Sequence, residues 1–195
     1  MNKNITNKSI SELDKKHYLQ TFKRYPICLE KGKGSKVWDV EGNMYIDALA
    51  GIAVNALGHN HPKLVKAIKD QAEKLIHISN FYTSEPQAKL SVLLTKLSNL
   101  ERVFFANSGA ESVEGAIKIA RKYAHKNNRG GEIISFTGSF HGRTLATIAT
   151  GKNKMQKGFE PIPTGFKQAE FNDINSVKNA ISEETAAIII EPVQG

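Results

Sequence analysis

The chain has 195 residues, of which 40% are hydrophobic and 24% charged; that composition supports a packed core and argues against disorder through the body of the chain. The formal net charge of +8 admits a polyanion-binding reading, but net charge alone speaks to solubility and non-specific association. No aromatic-interleaved basic cluster and no zinc-finger spacing accompanies it, and Lys63, Lys66, Lys69 and Lys74 fall between the apolar positions of one predicted helix, where solvated charges belong.

The first sixteen residues are polar and rich in Lys, Asn and Ser, and read as a loose or weakly helical arm. They lack the apolar stretch of a secretory leader, and no later apolar run reaches the roughly 18 residues of a membrane span. Cys28 is the single cysteine, so no disulfide framework forms within the chain. These features set the expectation of a soluble cytoplasmic protein with an inert thiol.

Residues 36–47, KVWDVEGNMYID, predict a β-hairpin: apolar positions flank Glu41-Gly42-Asn43, and Gly-Asn tolerates positive φ. A helix is predicted from Pro62, whose missing N–H costs nothing in a first turn, with Leu64, Val65, Ile68, Ala72, Leu75 and Ile76 at helical spacing. A second starts near Pro86, with Leu90, Leu93, Leu94 and Leu97 as its buried face. The pattern then alternates: a short strand over 102–106 (RVFFA), a helix over 110–126 with Val113, Ala116, Ile117, Ala120 and Ala124 on one side, and a strand over 132–136 (EIISF). A helix follows over 173–182, capped by Asp173 with Ile174, Val177 and Ile181 inward, then a wholly apolar strand over 186–190 (AAIII). Strand–helix alternation with unalternated apolar strands predicts an α/β fold with a mostly parallel sheet covered on both faces. The strand 186–190 is of the kind expected at a sheet centre, yet the sequence stops at EPVQG just after it, so the chain reads as the N-terminal part of a longer protein.

Three motifs carry candidate chemistry. Asn107-Ser108-Gly109-Ala110-Glu111 joins a strand to a helix with capping-box spacing. In that geometry the Ser108 hydroxyl accepts from the Glu111 N–H and the Glu111 carboxylate from the Ser108 N–H. The N–H groups of Gly109 and Ala110 are left pointing out of a helix start, where the dipole favours an anion such as phosphate. The same residues also suit an ordinary capped helix; they lack both the dinucleotide G-x-G-x-x-G and the Lys-Ser/Thr of a P-loop. Gly138-Ser139-Phe140-His141-Gly142-Arg143-Thr144 follows a strand, at the edge where open α/β sheets bind ligands. Phe140 suits stacking on a planar ring and Arg143 a two-pronged grip on a carboxylate; the alternative is a surface loop with Phe inward and Arg solvated. Glu191-Pro192-Val193-Gln194-Gly195 also follows a strand, and reads either as a carboxylate of the site or as a simple turn. His59 and His61, spaced i, i+2 beside a proline with no acidic or cysteine partner nearby in sequence, read as loop structure rather than as a metal pair.

Taken together, GKGSKVWDVEGNMYIDALAGIAVNALGHNHP, SNFYTSEPQAKL, NSGAESVEGAIKIARKYA, SFHGRTLATIATG and IIIEPVQG resemble, in order and spacing, the class III, fold-type-I pyridoxal-phosphate aminotransferases, from about Tyr18 onward. GIAVNALGH and NFYTSEPQ look more like the acetylornithine branch than the ornithine or 4-aminobutyrate branches. The resemblance implies an incomplete, mostly parallel sheet with flanking helices: the first half of a large cofactor domain over 58–195, preceded by a small-domain segment over 17–57 and a flexible arm over 1–16. It implies pyridoxal 5'-phosphate as cofactor, with Ser108, Gly109 and Ala110 at its phosphate, Phe140 stacked on its ring, His141 alongside and Glu191 close by, and with Arg143 on the substrate α-carboxylate. It implies an amino donor and 2-oxoglutarate as substrates (N-acetyl-L-ornithine, or ornithine, succinylornithine or another ω-amino acid), a homodimer with residues 80–84 near the subunit contact, and no nucleic-acid, membrane or metal partner. The sequence departs from the family at Val113, where relatives often carry Asn. The family's Schiff-base lysine belongs to a later segment; Lys118 and Lys122 lie where ordinary helix-surface lysines belong. The residues present are therefore expected to bind without transaminating, and a non-catalytic binding module is the reading of another class.

Overall fold

The computed structural model describes residues 5–151 and 153–195, which divide into two compact units, one ending at Ser84 and one beginning at Glu85. The first opens with α1 (Asn7–His17), a regular helix. Thr6 and Ser9 close a capping box, each side chain accepting from the other's N–H, which satisfies donors a helix start otherwise orphans. The predicted hairpin is β2 (Lys36–Asp39) and β3 (Met44–Ile46), antiparallel, and a strand the sequence did not announce, β1 (Leu29–Lys33), pairs on the other side of β2. LEKGK is polar and glycine-bearing, so nothing but the free edge of β2 makes it a strand.

The hairpin turn is organised by Asp39, which is 1% exposed. Its carboxylate accepts from the N–H of Glu41 and Asn43, the Asn43 and Asn7 amides, and the Tyr45 hydroxyl, all at 2.8–3.0 Å. Burial opposes its ionisation, but the hydrogen bonds from Asn43, Asn7 and Tyr45 prevail and hold it well below the usual carboxylate range. Asn7 also accepts from the Cys28 N–H, and its own N–H reaches Glu41, so α1 is tied to the hairpin at two points and to Cys28 at a third. The single turn α2 (Ala50–Ala53) has all four residues at positive φ, including the β-branched Ile52 at 59°, a conformation L-residues rarely sustain. The helix predicted from Pro62 is α3 (Pro62–Lys74).

The second unit begins with α4 (Glu85–Ser98) and α5 (Gly109–Lys126), joined through residues 99–108. The strand predicted over 102–106 does not form: no ladder includes these residues, and Phe104 is 68% exposed. A strand exists only by pairing, and among the described residues no neighbour offers this segment its backbone groups. A parallel three-stranded sheet follows, β4 (Glu132–Phe136) in the centre, with β5 (Phe166–Ala169) and β6 (Thr185–Ile188) on either side. The strand expected over 186–190 is thus an edge strand among the described residues, paired only with β4, and the central position goes to EIISF.

Ile133, Ile134 and Ser135 are at most 1% exposed. Ile134, Phe136 and Ala169 form the core on one face, closed by Phe171, Val177 and Ala180; the Phe136 and Phe171 rings meet edge to face at 6.0 Å. β5 went unforeseen because FKQA carries little apolar signal; its pairing with β4 is reinforced by a cross-strand ion pair between Lys167 and Glu132 at 2.6 Å. Between β4 and β5 lies α6 (Leu145–Ala149), and before β6 lies α7 (Ile174–Ala180), capped as predicted by Asp173, whose side chain accepts from the N–H of Asn175 and Ser176.

The expected buried faces are only partly buried. Of the three residues expected inward on α7 only Val177 packs against the core, joined there by Ala180, while Ile174 and Ile181 are exposed. On α4 the four leucines remain 36–73% exposed. On α5, Ile117 and Ala124 are buried and Ala116 is exposed. Apolar periodicity names the face a helix offers, but burial also requires an opposing element.

Candidate functional site

The three motifs meet within the second unit, at the C-terminal ends of β4 and β6 and the N-terminus of α5. Ser108 caps α5 in extended geometry, its hydroxyl accepting from the Glu111 N–H at 3.2 Å. The Glu111 carboxylate reaches one residue further back than the capping box predicts. It accepts from the Asn107 N–H at 2.6 Å rather than from Ser108, because Asn107 also offers its side-chain amide to the same carboxylate. The helix start therefore shows three consecutive N–H groups, of Ser108, Gly109 and Ala110, with no acceptor among the described residues. A β-carbon at Gly109 would meet nothing within 4 Å, and its φ is not positive. Neither packing nor backbone conformation demands glycine there, and Ser108 and Gly109 lie exposed at the helix start.

The loop after β4 lies across this helix start. Gly142, at φ +136°, approaches so closely that a β-carbon on it would stand 2.9 Å from that of Ala110. Two residues on, the Thr144 hydroxyl donates to Glu114 on α5 at 2.5 Å, and Thr144 caps α6 in a reciprocal pair with Thr147. Fully buried Ser139 anchors the other end of the loop by donating to the Thr150 carbonyl at 3.1 Å. Phe140 is 48% exposed, and the Arg143 guanidinium lies over its ring, 5.9 Å from the centre.

The segment after β6 closes the arrangement. Glu191 accepts the Phe140 N–H at 2.9 Å, and the Gln194 amide donates to the Thr137 carbonyl at 3.0 Å. A β-carbon at Gly138 would fall 2.9 Å from Gln194 Oε1, which with its φ of +79° explains the glycine. His141 Nε2 is buried without a hydrogen-bond partner among the described residues. Burial pushes this imidazole below its ordinary value of 6.5, against the opposing pull of Glu191, so the ring is neutral at neutral pH.

The structure thus brings together Ser108, Gly109, Ala110, Phe140, His141, Arg143 and Glu191, all singled out from the sequence. Glu114, Thr144 and Gln194 were not; the one signal for Glu114 is its i, i+4 spacing from Ala110, which puts both on one helix face. Lys118 and Lys122 are exposed on α5. His59 does have an acidic partner, Asp47, 2.6 Å from its Nε2 and twelve residues away in sequence. That bond, with the N–H of Ala50, holds the Asp47 carboxyl below its ordinary range. Among the described residues no group of three His, Cys, Asp or Glu side chains gathers to hold a metal, and no helix is long and apolar enough to cross a membrane.

The class-III aminotransferase family matches residues 18–195. The chain belongs to that family. It is 58% identical over 187 residues to the acetylornithine aminotransferase of Methanocaldococcus jannaschii, covering 94% of this chain and 47% of that one. It is 54% identical over 192 residues to the acetylornithine aminotransferase of Methanothermobacter thermautotrophicus, covering 98% and 48%. Among solved structures, the ornithine aminotransferase of Toxoplasma gondii superposes with a TM-score of 0.93 at 29% identity over 99% of this chain and 47% of its own. The acetylornithine aminotransferase of Elizabethkingia anophelis gives 0.79 at 31% identity, over 100% and 46%. The chain spans about half the length of the curated relatives it matches. The α/β fold with its parallel sheet is that of the first half of a fold-type-I enzyme, and pyridoxal phosphate is the cofactor of this family. The residues present fit that group: unpaired N–H donors at an exposed helix start for a phosphate, an exposed aromatic side chain for a ring, and a guanidinium beside it.

Proposed function

We propose that this chain supplies the phosphate cradle, the ring-stacking face and the substrate-carboxylate grip of a cytoplasmic pyridoxal-phosphate aminotransferase. Its reaction is transfer of the terminal amino group of N-acetyl-L-ornithine to 2-oxoglutarate, giving N-acetylglutamate 5-semialdehyde and glutamate, a step of arginine biosynthesis. The observation that carries this reading is the run of three unpaired N–H groups at Ser108–Ala110, at a helix start beside the loop of Phe140 and Arg143. The acetylornithine assignment rests on the names of the relatives; ornithine, succinylornithine and other ω-amino acids are the competing donors, and a donor panel separates them.

Gly109 and Ala110 donate their N–H groups to the phosphate, reinforced by the helix dipole, and the Ser108 hydroxyl, which accepts from Glu111, has its proton left to give. Phe140 covers one face of the ring. Glu191 acts through Phe140, fixing its backbone, and His141 contributes a neutral imidazole alongside. Arg143 takes the α-carboxylate and so decides which end of the donor faces the ring, a positioning role in which small displacements are costly in rate. Pyridoxal phosphate supplies the electron sink that makes the carbon bearing the amino group acidic.

Within the whole enzyme, residues 17–57 belong to a small domain and 58–195 to the cofactor domain after the arm 1–16; the enzyme is a homodimer with residues 80–84 near the contact. Residues 1–195 by themselves bind the cofactor without transaminating, since the family resemblance implies a Schiff-base lysine in a later segment and Lys118 and Lys122 lie exposed on α5. In the intact protein, Arg143→Ala raises KM for the amino donor about a hundredfold while cofactor content is retained. Unchanged kinetics contradict the assignment.

A further inference from the structure

Glu114 takes no part in the functions assigned above, yet its carboxylate accepts a side-chain hydrogen bond from the ring-facing loop onto the cofactor helix. Ala110 and Glu114 are spaced i, i+4 and lie one above the other on α5. Gly142 and Thr144 are spaced i, i+2 in the loop. The first pair of each meets by close approach, a β-carbon on Gly142 falling 2.9 Å from that of Ala110; the second meets by the hydrogen bond from the Thr144 hydroxyl to Glu114 at 2.5 Å. Arg143 sits between the two joints and Phe140 two residues before the first. The phosphate donors are on the helix at Gly109 and Ala110. The distance from phosphate grip to ring face and carboxylate grip is therefore set by how the loop is fastened to α5. The Gly142 contact limits approach but exerts no pull, whereas the Glu114 bond is the attractive one.

We propose that Glu114 is a positioning residue, whose hydrogen bond from Thr144 holds the loop bearing Phe140 and Arg143 in register with the phosphate-binding start of α5. This deepens the reading of the site given above and rests on it. Glu114 touches neither cofactor nor substrate. Its carboxylate serves as a hydrogen-bond acceptor, so an amide oxygen at the same reach can replace it. Because the phosphate donors belong to the helix itself, loss of the fastening leaves phosphate binding intact and damages only what the loop contributes.

The test uses the intact protein and four readouts: binding of inorganic phosphate by 31P titration, retention of pyridoxal phosphate by ultrafiltration, visible circular dichroism of the bound cofactor, and KM for the amino donor. For Glu114→Ala the expected result is phosphate affinity within about twofold of the parent, cofactor affinity weakened and KM raised each about tenfold, and diminished dichroism as the ring loses its fixed setting. Glu114→Gln restores all of these to near parent values. Glu114→Asp, which keeps the charge but withdraws the acceptor by one methylene, falls between and guards against a poorly folding alanine variant. The proposal is overturned if Glu114→Ala or Glu114→Asp leaves cofactor affinity, dichroism and KM unchanged. It is also overturned if phosphate affinity falls in parallel with cofactor affinity, the mark of general destabilisation, or if Glu114→Gln behaves like Glu114→Ala. If the parent protein binds no pyridoxal phosphate, the functional reading fails first and this inference with it; parent binding with insensitive Glu114 variants removes the inference alone.

Discussion

The hairpin knot of the first unit and the loop cluster of the second treat polar groups in opposite ways. Around Asp39, five donors converge on one buried carboxylate, and Asn7 spends both ends of its amide there and on Cys28. Around α5, three consecutive N–H groups and His141 Nε2 are left without partners among the described residues. An unpaired buried polar group costs free energy, a cost that His141 Nε2 bears, whereas Ser108 and Gly109 are exposed and their N–H groups are open to an incoming acceptor. Among the described residues the first unit has one buried side-chain nitrogen of this kind, His61 Nδ1 at the N-cap of α3, and that helix start, which no side chain caps, also leaves the Lys63 and Leu64 N–H groups without an acceptor. Polar residues that close on one another are architecture; those that converge and stay open are a site.

This contrast is broken or sharpened by substitutions on its two sides. Asp39→Ala should have the largest structural effect, because it strands five donors at once: thermal unfolding of the first unit moves to clearly lower temperature, while phosphate binding by the second unit is retained. Arg143→Ala should be the most damaging to function, raising KM for the amino donor about a hundredfold. Gly109→Ala should separate fold from site at one position. Its methyl meets no protein atom, so stability is unchanged or rises by up to about 1 kcal/mol, yet it fills the open space and lowers affinity for inorganic phosphate about tenfold. A parallel loss of stability would show that the glycine serves the fold. Phe140→Leu should loosen pyridoxal phosphate about fivefold, checked by equilibrium dialysis.

The smallest effect is a pH dependence. Burial depresses the His141 pKa below 6.5, so the unfolded chain binds the proton more readily. The stability tied to the neutral ring is complete above 6.5 and is lost as pH falls through the depressed folded value. His141→Asn should flatten this acid-side decline in denaturant titrations, and an unaltered profile would assign the decline to other groups. The Asp39 and Asp47 carboxyls, both held low, lose their stabilising contribution only at still lower pH.

Legibility in the sequence followed the same division. Elements with their own local signal were readable: the 36–47 hairpin from its Gly-Asn turn, α5 from its cap and periodicity, α7 from Asp173, β4 from EIISF. Elements that exist only because a neighbour offers an edge were not: β1 and β5 carry weak apolar patterns and form by pairing with β2 and β4. The converse failure is 102–106, a strong strand pattern that finds no partner among the described residues. The apolar faces of α4 and α7 were legible as faces but not as exposed ones. At the site, the residues the three motifs singled out come together, while Glu114 had no motif to mark it, and Thr144 and Gln194 stood inside two of the motifs with nothing local to announce contacts spanning 30 and 57 residues.

On the proposed function, the open donors at the start of α5 await a phosphate-bearing ligand while the Asp39 knot awaits nothing. Backbone amide spectra recorded as pyridoxal phosphate is added test it directly. The account predicts that the Gly109 and Ala110 signals shift on binding, and that those of Glu41 and Asn43, whose N–H groups already serve Asp39, stay in place. Binding that leaves Gly109 and Ala110 unmoved would contradict it.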